Sequence, residues 1–240
     1  MKAGIEMNTG IGAAFEPGEY RGFTGYVRCG DNEGCAEDAD FNIAENGEID
    51  WFGGTWSGTT INMNWYDGIW NGGLARRCNW FKGIWKNGIF KDGSWTDGTW
   101  DNGVWQGGSW DNGIWVNGTF AGGVWHSGLW LDGAWTNSDI AIWEKGTWKN
   151  GTWKGGAHEN GEWDGGTWEN GWWQNGIWRG GMWKDGHWFD GEWLGGTWRT
   201  GLRHFAYWKD KDSEIGEGRY EKTDQPPFGQ KDRYLNESRH

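Results

Sequence analysis

The chain has 240 residues and a formal net charge of −12, and it contains 27 Trp and 47 Gly. An acidic chain without a basic stripe is not expected to bind nucleic acid, and no apolar run approaches the roughly 18 residues that a membrane span needs. The first residues also lack the apolar core of a signal peptide. We therefore expect a protein with no transmembrane segment that is made for the cytoplasm.

Residues 1–64 hold most of the negative charge, with 11 acids against 3 bases. Aromatic residues recur here among turn-forming residues, which predicts a small β-rich element. Because the end of a repeat stack needs covering, we expect this element to cap the region that follows. The acidic run 31–40 lacks the spacing of an EF-hand and is interpreted as a solvated loop, with no metal expected. Whether Cys29 and Cys35 form a disulfide stays open.

Residues 65–202 repeat one five-residue phrase, Gly-x-Trp-x-[Asn/Asp/Gly]. The central position of the phrase, here called the slot, recurs every fifth residue from 65 to 135 and again from 143 to 198. Trp fills 23 of the 27 slots, 12 in the first block and 11 in the second. Gly stands two residues before the slot in 24 of the 27 repeats, the exceptions being Met63, Cys78 and Ala141.

A period of five matches neither a continuous helix nor a continuous strand, so the chain must turn inside every repeat. Gly with Asn or Asp accepts the positive φ that such turns need. The remaining x-Trp-x is a short extended segment in which Trp points one way and both neighbours point the other way. The Trp side chains are therefore predicted to form one shared core, represented by Trp85, Trp95, Trp100, Trp105, Trp110, Trp115, Trp168, Trp178, Trp183 and Trp193.

Two all-β architectures fit this local structure. If every junction turns the same way through a right angle, four repeats close one coil of a quadrilateral β-solenoid with parallel strands. If each Asn-Gly is a hairpin turn, the repeats form an antiparallel meander of three-residue strands. We favour the solenoid, because a closed coil buries every Trp whereas a flat meander exposes a row of them.

The repeat resembles a Trp-rich variant of the pentapeptide-repeat proteins. In that family a central Leu or Phe points inward and a small residue stands two positions earlier at the corner; Trp95 and Trp100 would take the first role here, and Gly93 and Gly98 the second. The resemblance implies a right-handed, four-sided solenoid. Similar Gly-x-Trp repeats also occur in uncharacterised proteins of tailed phages, which implies a part of a virus particle.

On a four-sided solenoid, 27 slots make a little under seven coils, about 32 Å long at the usual strand spacing. The long steps from Trp56 to Trp65 and from Trp135 to Trp143 are predicted to be loops that bulge from a corner, the second of them a candidate contact loop. His158 occupies a slot and is expected to be an interior histidine. Cys78 occupies a Gly position and is expected to be a small corner residue.

The residue before each slot faces outward, so the outer surface can be inferred from the sequence. In the first block this position is mostly apolar, which indicates a surface for a protein partner; short strands with β-branched residues would give the same pattern. The candidate partner surface consists of Ile69, Leu74, Ile84, Ile89, Val104, Ile114, Val124 and Leu129.

Residues 203–240 hold 8 acids and 8 bases and contain two adjacent prolines. This segment has too few apolar residues to form a core of its own. We expect a charged tail that is either disordered or ordered by a partner.

The sequence contains no catalytic motif, zinc pattern or phosphate loop, so we expect no enzyme activity and no cofactor. The favoured interpretation is a non-catalytic structural scaffold in a virion, at a phage tail, fibre or capsid surface. Its partners would be other protein subunits, including further copies of this chain, with no nucleic acid and no membrane. The first alternative is a carbohydrate-binding or adhesion protein that uses exposed Trp, for which the off-register residues Trp51, Trp172 and Trp208 are candidates. The second is a DNA mimic, as some pentapeptide-repeat proteins are.

Overall fold

The computed structural model describes residues 15–136, 141–205 and 219–223, with side chains up to His204. The described chain is all-β, and its parallel strands stack as a β-solenoid of about 10 turns with a Trp-rich interior. The solenoid prediction is confirmed, because consecutive turns pair in parallel rather than as an antiparallel meander. No helix in these residues is long and apolar enough to cross a membrane.

Three long strands open the described chain, and mostly two-residue strands follow. In chain order they are β1 (Gly18–Cys29), β2 (Asn32–Ile43), β3 (Ile49–Ile61), β4 (Asn64–Trp65), β5 (Ile69–Trp80), β6 (Ile84–Trp85), β7 (Ile89–Trp95), β8 (Thr99–Trp100), β9 (Val104–Trp105), β10 (Ser109–Trp110), β11 (Ile114–Trp115), β12 (Thr119–Phe120), β13 (Gly123–Trp125), β14 (Leu129–Trp130), β15 (Ala134–Trp135), β16 (Ala141–Trp143), β17 (Thr147–Trp148), β18 (Thr152–Trp153), β19 (Ala157–His158), β20 (Glu162–Trp163), β21 (Thr167–Trp168), β22 (Trp172–Trp173), β23 (Ile177–Trp178), β24 (Met182–Trp183), β25 (His187–Trp188), β26 (Glu192–Trp193), β27 (Thr197–Trp198), β28 (Gly201–Phe205) and β29 (Arg219–Thr223).

The solenoid has three sides, so the expected quadrilateral cross-section is wrong. Trp110 pairs in parallel with Trp95 on one side and with Trp125 on the other, a step of fifteen residues and therefore of three repeats. The ring of Trp100 meets those of Trp95 and Trp105 edge to face, at centroid distances of 5.9 and 6.0 Å. Within each turn, one ring from each of the three sides therefore contacts its neighbours edge to face in the interior.

Each side contributes one column of stacked rings to the core. Successive rings in a column lie nearly parallel, as Trp80 and Trp95 do at 4.6 Å and 4°. The predicted core residues are buried, apart from Trp193 in the last turn, which is partly exposed. The inward residues of the first face are Trp51, Trp65, Trp80, Trp95, Trp110, Trp125, Trp143, His158, Trp173 and Trp188; of the second, Trp56, Trp70, Trp85, Trp100, Trp115, Trp130, Trp148, Trp163, Trp178 and Trp193; and of the third, Thr60, Ala75, Phe90, Trp105, Phe120, Trp135, Trp153, Trp168, Trp183 and Trp198.

Two features favour Gly at the corner position two residues before the slot. At Gly103 the backbone has φ 122°, a conformation that other residues rarely adopt. A Cβ built there would also lie 2.4 Å from the carbonyl oxygen of Gly88 in the preceding turn. The residue before the corner Gly often helps to hold the turn, as where Asp97 Oδ1 accepts a hydrogen bond of 2.8 Å from the Gly98 N–H.

The parallel stack begins earlier than the expected boundary at residue 65. Asp50 and Trp51 in β3 already pair with β4. The step from Trp56 to Trp65 is not the predicted loop, because β3 continues through it and Thr60 fills the third-face slot opposite Ala75. The stack is about ten rather than seven coils deep, because three repeats rather than four close each coil and because the stack begins earlier. At a strand spacing of about 4.8 Å it is about 48 Å long.

The second long step, from Trp135 to Trp143, leaves the pairing of the turns on either side of it intact. Trp125 and Trp143 stack at 4.8 Å and 5° although three extra residues separate them, so the insertion leaves the column undisturbed. Residues 137–140, within the candidate contact loop, lie outside the described residues.

Antiparallel strands stand at both ends of the stack. At the amino end β1, β2 and β3 pair in sequence, which supports the expected β-rich cap. The buried Asn32 Oδ1 accepts hydrogen bonds from the Thr60 hydroxyl and the Ile61 N–H, and so ties the β1–β2 turn to the end of β3. At the other end β28 pairs with β25, and β29, from the charged segment 203–240, pairs with β28.

We expect Gly103→Ala to lower the free energy of unfolding by about 1–3 kcal/mol, because Ala is strained at this φ and its Cβ meets backbone of the preceding turn. The matched control is Gly72→Ala, since a Cβ there comes no closer than 4.0 Å to its neighbours and φ is not in the positive region. Chemical denaturation should place the control within about 1 kcal/mol of the wild type. Equal destabilisation of the two variants would contradict the corner argument.

Candidate functional site

The candidate partner surface does not form one patch. Its residues do point away from the core, but the three-sided coil distributes them over all three outer faces. Val124 lies on the first face, beside Ser109 and Ile142. The second face carries Ile69, Ile84, Ile114 and Leu129, in a row that Thr99 interrupts, and the third carries Leu74, Ile89 and Val104.

The second face carries four of the candidate residues, the most of the three faces, in two pairs on either side of Thr99. Ile114 is 40% exposed there, and its neighbours in the row are partly buried. On the third face Ile89 is also exposed, between Leu74 and Val104. Each row is a straight ladder along the solenoid axis, because parallel pairing places equivalent residues of successive turns side by side.

His158 lies inside the core, as expected from its slot. It is fully buried and stacks between Trp143 at 5.9 Å and Trp173 at 4.0 Å. Burial lowers the pKa of its imidazole from 6.5 to about 3, because the charged form would lose its hydration. The histidine is therefore a neutral aromatic member of the column rather than a group that can exchange protons with a ligand.

The three cysteines are free thiols. Cys78 is buried at a corner, and loss of hydration raises the pKa of its thiol to about 11, so it carries no reactive thiolate. Cys29 and Cys35 lie on neighbouring strands of the cap but pair in register with Asn32 and Tyr26, not with each other.

The acidic run 31–40 is a strand rather than the expected loop, since most of it belongs to β2. The carboxylates of Glu33, Glu37 and Asp38 are exposed, and the buried positions of the strand hold no acid. Asp40 contacts Arg21 and the Gly22 N–H, and Glu33 accepts a hydrogen bond from the Tyr26 hydroxyl. Within the described ranges, no three His, Cys, Asp or Glu side chains converge on a point where a metal ion could bind.

A row of exposed aromatic rings lies on the outside of the first face, near the amino end. Phe52, Tyr66 and Phe81 each follow a slot residue and stack on one another at 5.2 and 4.8 Å. Each is 40–42% exposed, and the guanidinium of Arg21 lies 5.9 Å from the centre of the Phe52 ring. The sequence reasoning missed this row, which only the fifteen-residue turn makes visible.

A groove of about 510 Å³ opens on the same face, in the second half of the solenoid. Trp172 stands before its slot, a position that most often holds Thr or Ile in the other repeats, and its side chain is 56% exposed. Its ladder neighbours are Ala157 in the preceding turn and His187 in the next. The groove is lined by Ala141, Ile142, Gly155, Gly156, Ala157, Asn170, Gly171, Trp172 and His187.

Of the three off-register Trp residues considered for sugar binding, only Trp172 is placed at the surface. Trp51 is fully buried and stacks on Trp65 in the first column. Trp208 lies outside the described residues.

Two histidines adjoin the groove on the side of the last turns. His187 Nδ1 and His204 Nε2 lie 2.8 Å apart, and the ring of Phe189 stacks on His204 at 4.0 Å. Burial lowers the pKa of His204, mainly because the charged form would lose its hydration and to a smaller extent because His187 lies nearby. The pair thus shares a hydrogen bond, and this bond fixes the His187 ring at the groove's edge.

The geometry defines the chain as a three-sided β-solenoid repeat protein whose variable residues all face outward. Comparisons with protein-family models, with curated proteins and with solved structures find no match.

We expect the free energy of unfolding of His158→Phe to fall less than that of the wild type when the pH is lowered. The folded-state pKa of His158 lies below its unfolded value, so between about pH 3 and 6.5 the unfolded chain binds the extra proton and stability falls as the pH falls. The resulting loss at pH 5 is roughly 2 kcal/mol relative to pH 7. Phe fits this column, because Phe120 already shows the same uneven spacing, 5.8 Å to Trp105 and 4.3 Å to Trp135.

Denaturation of both proteins at pH 7 and pH 5 isolates this effect, since the carboxylates titrate equally in both. An identical loss of stability in the wild type and in His158→Phe would show that the buried imidazole does not control it.

Proposed function

We propose that the chain is a non-catalytic structural protein that serves as a rigid scaffold for assembly. The observation that carries the proposal is the continuity of the core: two aromatic columns run through about 10 turns and a third through eight, and a three-residue insertion does not interrupt them. Such a rod holds its outer faces in fixed positions, which suits a part that presents surfaces to other subunits.

The outer surface supports the same proposal. Its apolar rows are straight, and their residues lie one strand spacing apart in successive turns, so a second copy or another subunit meets a regular surface along the rod. Because the repeats resemble those of tailed-phage proteins, we propose specifically that the chain belongs to the tail, a fibre or the capsid surface of a virion. The partners are other protein subunits, including further copies of this chain.

The distribution of charge argues against the DNA-mimic alternative. A mimic needs a continuous acidic surface, whereas bases are interspersed with acids on the outer faces. Lys86 pairs with Asp101 at 2.7 Å, and Lys184 pairs with Glu169 at 3.0 Å, in each case across one turn.

The test is the state of the purified chain in solution. We expect size-exclusion chromatography with light scattering, and negative-stain imaging, to show defined oligomers or rods longer than one chain. A solitary monomer at every concentration, absent as well from purified particles of the virus that encodes it, would refute the scaffold proposal.

We expect Ile114→Lys to weaken self-association at least about tenfold, because it places a charge in the apolar row of the second face. The matched control is Thr152→Lys, which occupies the same position of the repeat but lies on the third face in the second block. Both side chains point outward, so thermal denaturation should show unchanged folding. If both substitutions weaken association equally, the second face is not the interface.

A further inference from the structure

The groove beside Trp172 carries a further inference that the scaffold role does not require. Trp172 is the most exposed of the large hydrophobic side chains in the described part of the chain. At a position that elsewhere most often holds Thr or Ile, this indole offers a flat, exposed apolar face on which a ligand ring can stack. We propose that this groove binds a neutral oligosaccharide, with one sugar ring stacked on Trp172.

The shape of the groove fits a flat ring of this size. Ile142, Ala157 and Trp172 are consecutive in one ladder, so the small Ala157 leaves a notch between two larger side chains. Two strand spacings separate Ile142 from Trp172, or about 10 Å. Gly156 and Gly171 add no side chains to the floor. A pyranose can therefore lie against the indole with its axial C–H groups facing the ring.

The polar groups of the groove fit sugar hydroxyls. Asn170 Oδ1 accepts a hydrogen bond from the Gly171 N–H, which orients the amide and leaves its Nδ2 hydrogens for a ligand. His187 lines the groove, and its hydrogen bond with His204 is made through Nδ1. That bond therefore does not engage His187 Nε2. A few polar groups on a largely apolar surface are typical of small-ligand sites.

The ligand should be uncharged. None of the residues that line the groove is an acid, a lysine or an arginine. A phosphate, a sulfated sugar or a sialic acid would lose hydration on binding without meeting an opposite charge. The proposed ligand is thus a neutral hexose or N-acetylhexosamine oligomer.

The experiment measures binding of the full chain to an array of immobilised neutral oligosaccharides, namely short gluco-, manno-, galacto- and N-acetylglucosamine oligomers, followed by calorimetry with the best binder. We expect binding to at least one of these, and Trp172→Ala should weaken it at least about tenfold. Trp172→Phe should retain part of the affinity, because it keeps a stacking face. Ala157→Phe should abolish binding by filling the notch while leaving Trp172 in place.

The matched control is Phe81→Ala, which removes a different exposed ring from the same face. Its affinity should equal that of the wild type. All these side chains point outward, and circular dichroism with thermal denaturation checks that each variant is folded; if Ala157→Phe does not fold, the two Trp172 variants decide. Binding to none of the neutral sugars, binding only to charged glycans, or equal affinity of the wild type and Trp172→Ala would overturn the proposal.

Discussion

The structure depends on the agreement of two distances. Parallel strands stack about 4.8 Å apart, and indole rings in offset stacks favour centroid separations near the same value. In this chain Trp100 and Trp115 are 4.8 Å apart, and Trp115 and Trp130 are 4.7 Å apart. Because one translation satisfies both the backbone hydrogen bonds and the ring contacts, a Trp at every slot introduces no strain as the turns accumulate. The edge-to-face contacts within each turn then join the three columns into one core.

This arrangement explains why so little else in the repeat is free to vary. A stacked indole brings its edge against the next corner, and a Cβ built at Gly83 would lie 3.1 Å from Trp65 Nε1. Gly therefore stands at 24 of the 27 corners. Most of the buried indole N–H groups have no hydrogen-bond acceptor. Trp143 and Trp183 are exceptions, since their N–H groups donate to the carbonyl oxygens of Asn160 and Thr200. The extent of apolar burial offsets these unpaired donors, each of which costs about 1–3 kcal/mol.

Because the interior is nearly uniform, the three faces of the solenoid differ mainly in their outward-facing residues. The second face carries an apolar row around Ile114, while the first carries the stacked rings of Phe52 and Tyr66 at one end and the groove of Trp172 at the other. None of these features alters the core, since a residue beside a slot points away from it. The scaffold and the proposed sugar site can therefore coexist on one rod without sharing a side chain.

The five-residue period by itself determined that the chain turns in every repeat, that Trp points inward, that Gly forms the corner and that closed coils bury the rings better than a flat meander. It also placed His158 and Cys78 inside. It could not determine how many repeats close a turn, because a period of five fits three sides or four, and the resemblance to pentapeptide repeats favoured four. A weaker signal was present: the smaller slot residues Ala75, Phe90 and Phe120 are separated by multiples of fifteen. Only the tertiary structure decided the number of sides, since it depends on how three indoles from different repeats fill one cross-section. The groove follows from that choice, because a fifteen-residue turn places Ile142, Ala157 and Trp172 side by side and a twenty-residue turn would separate them.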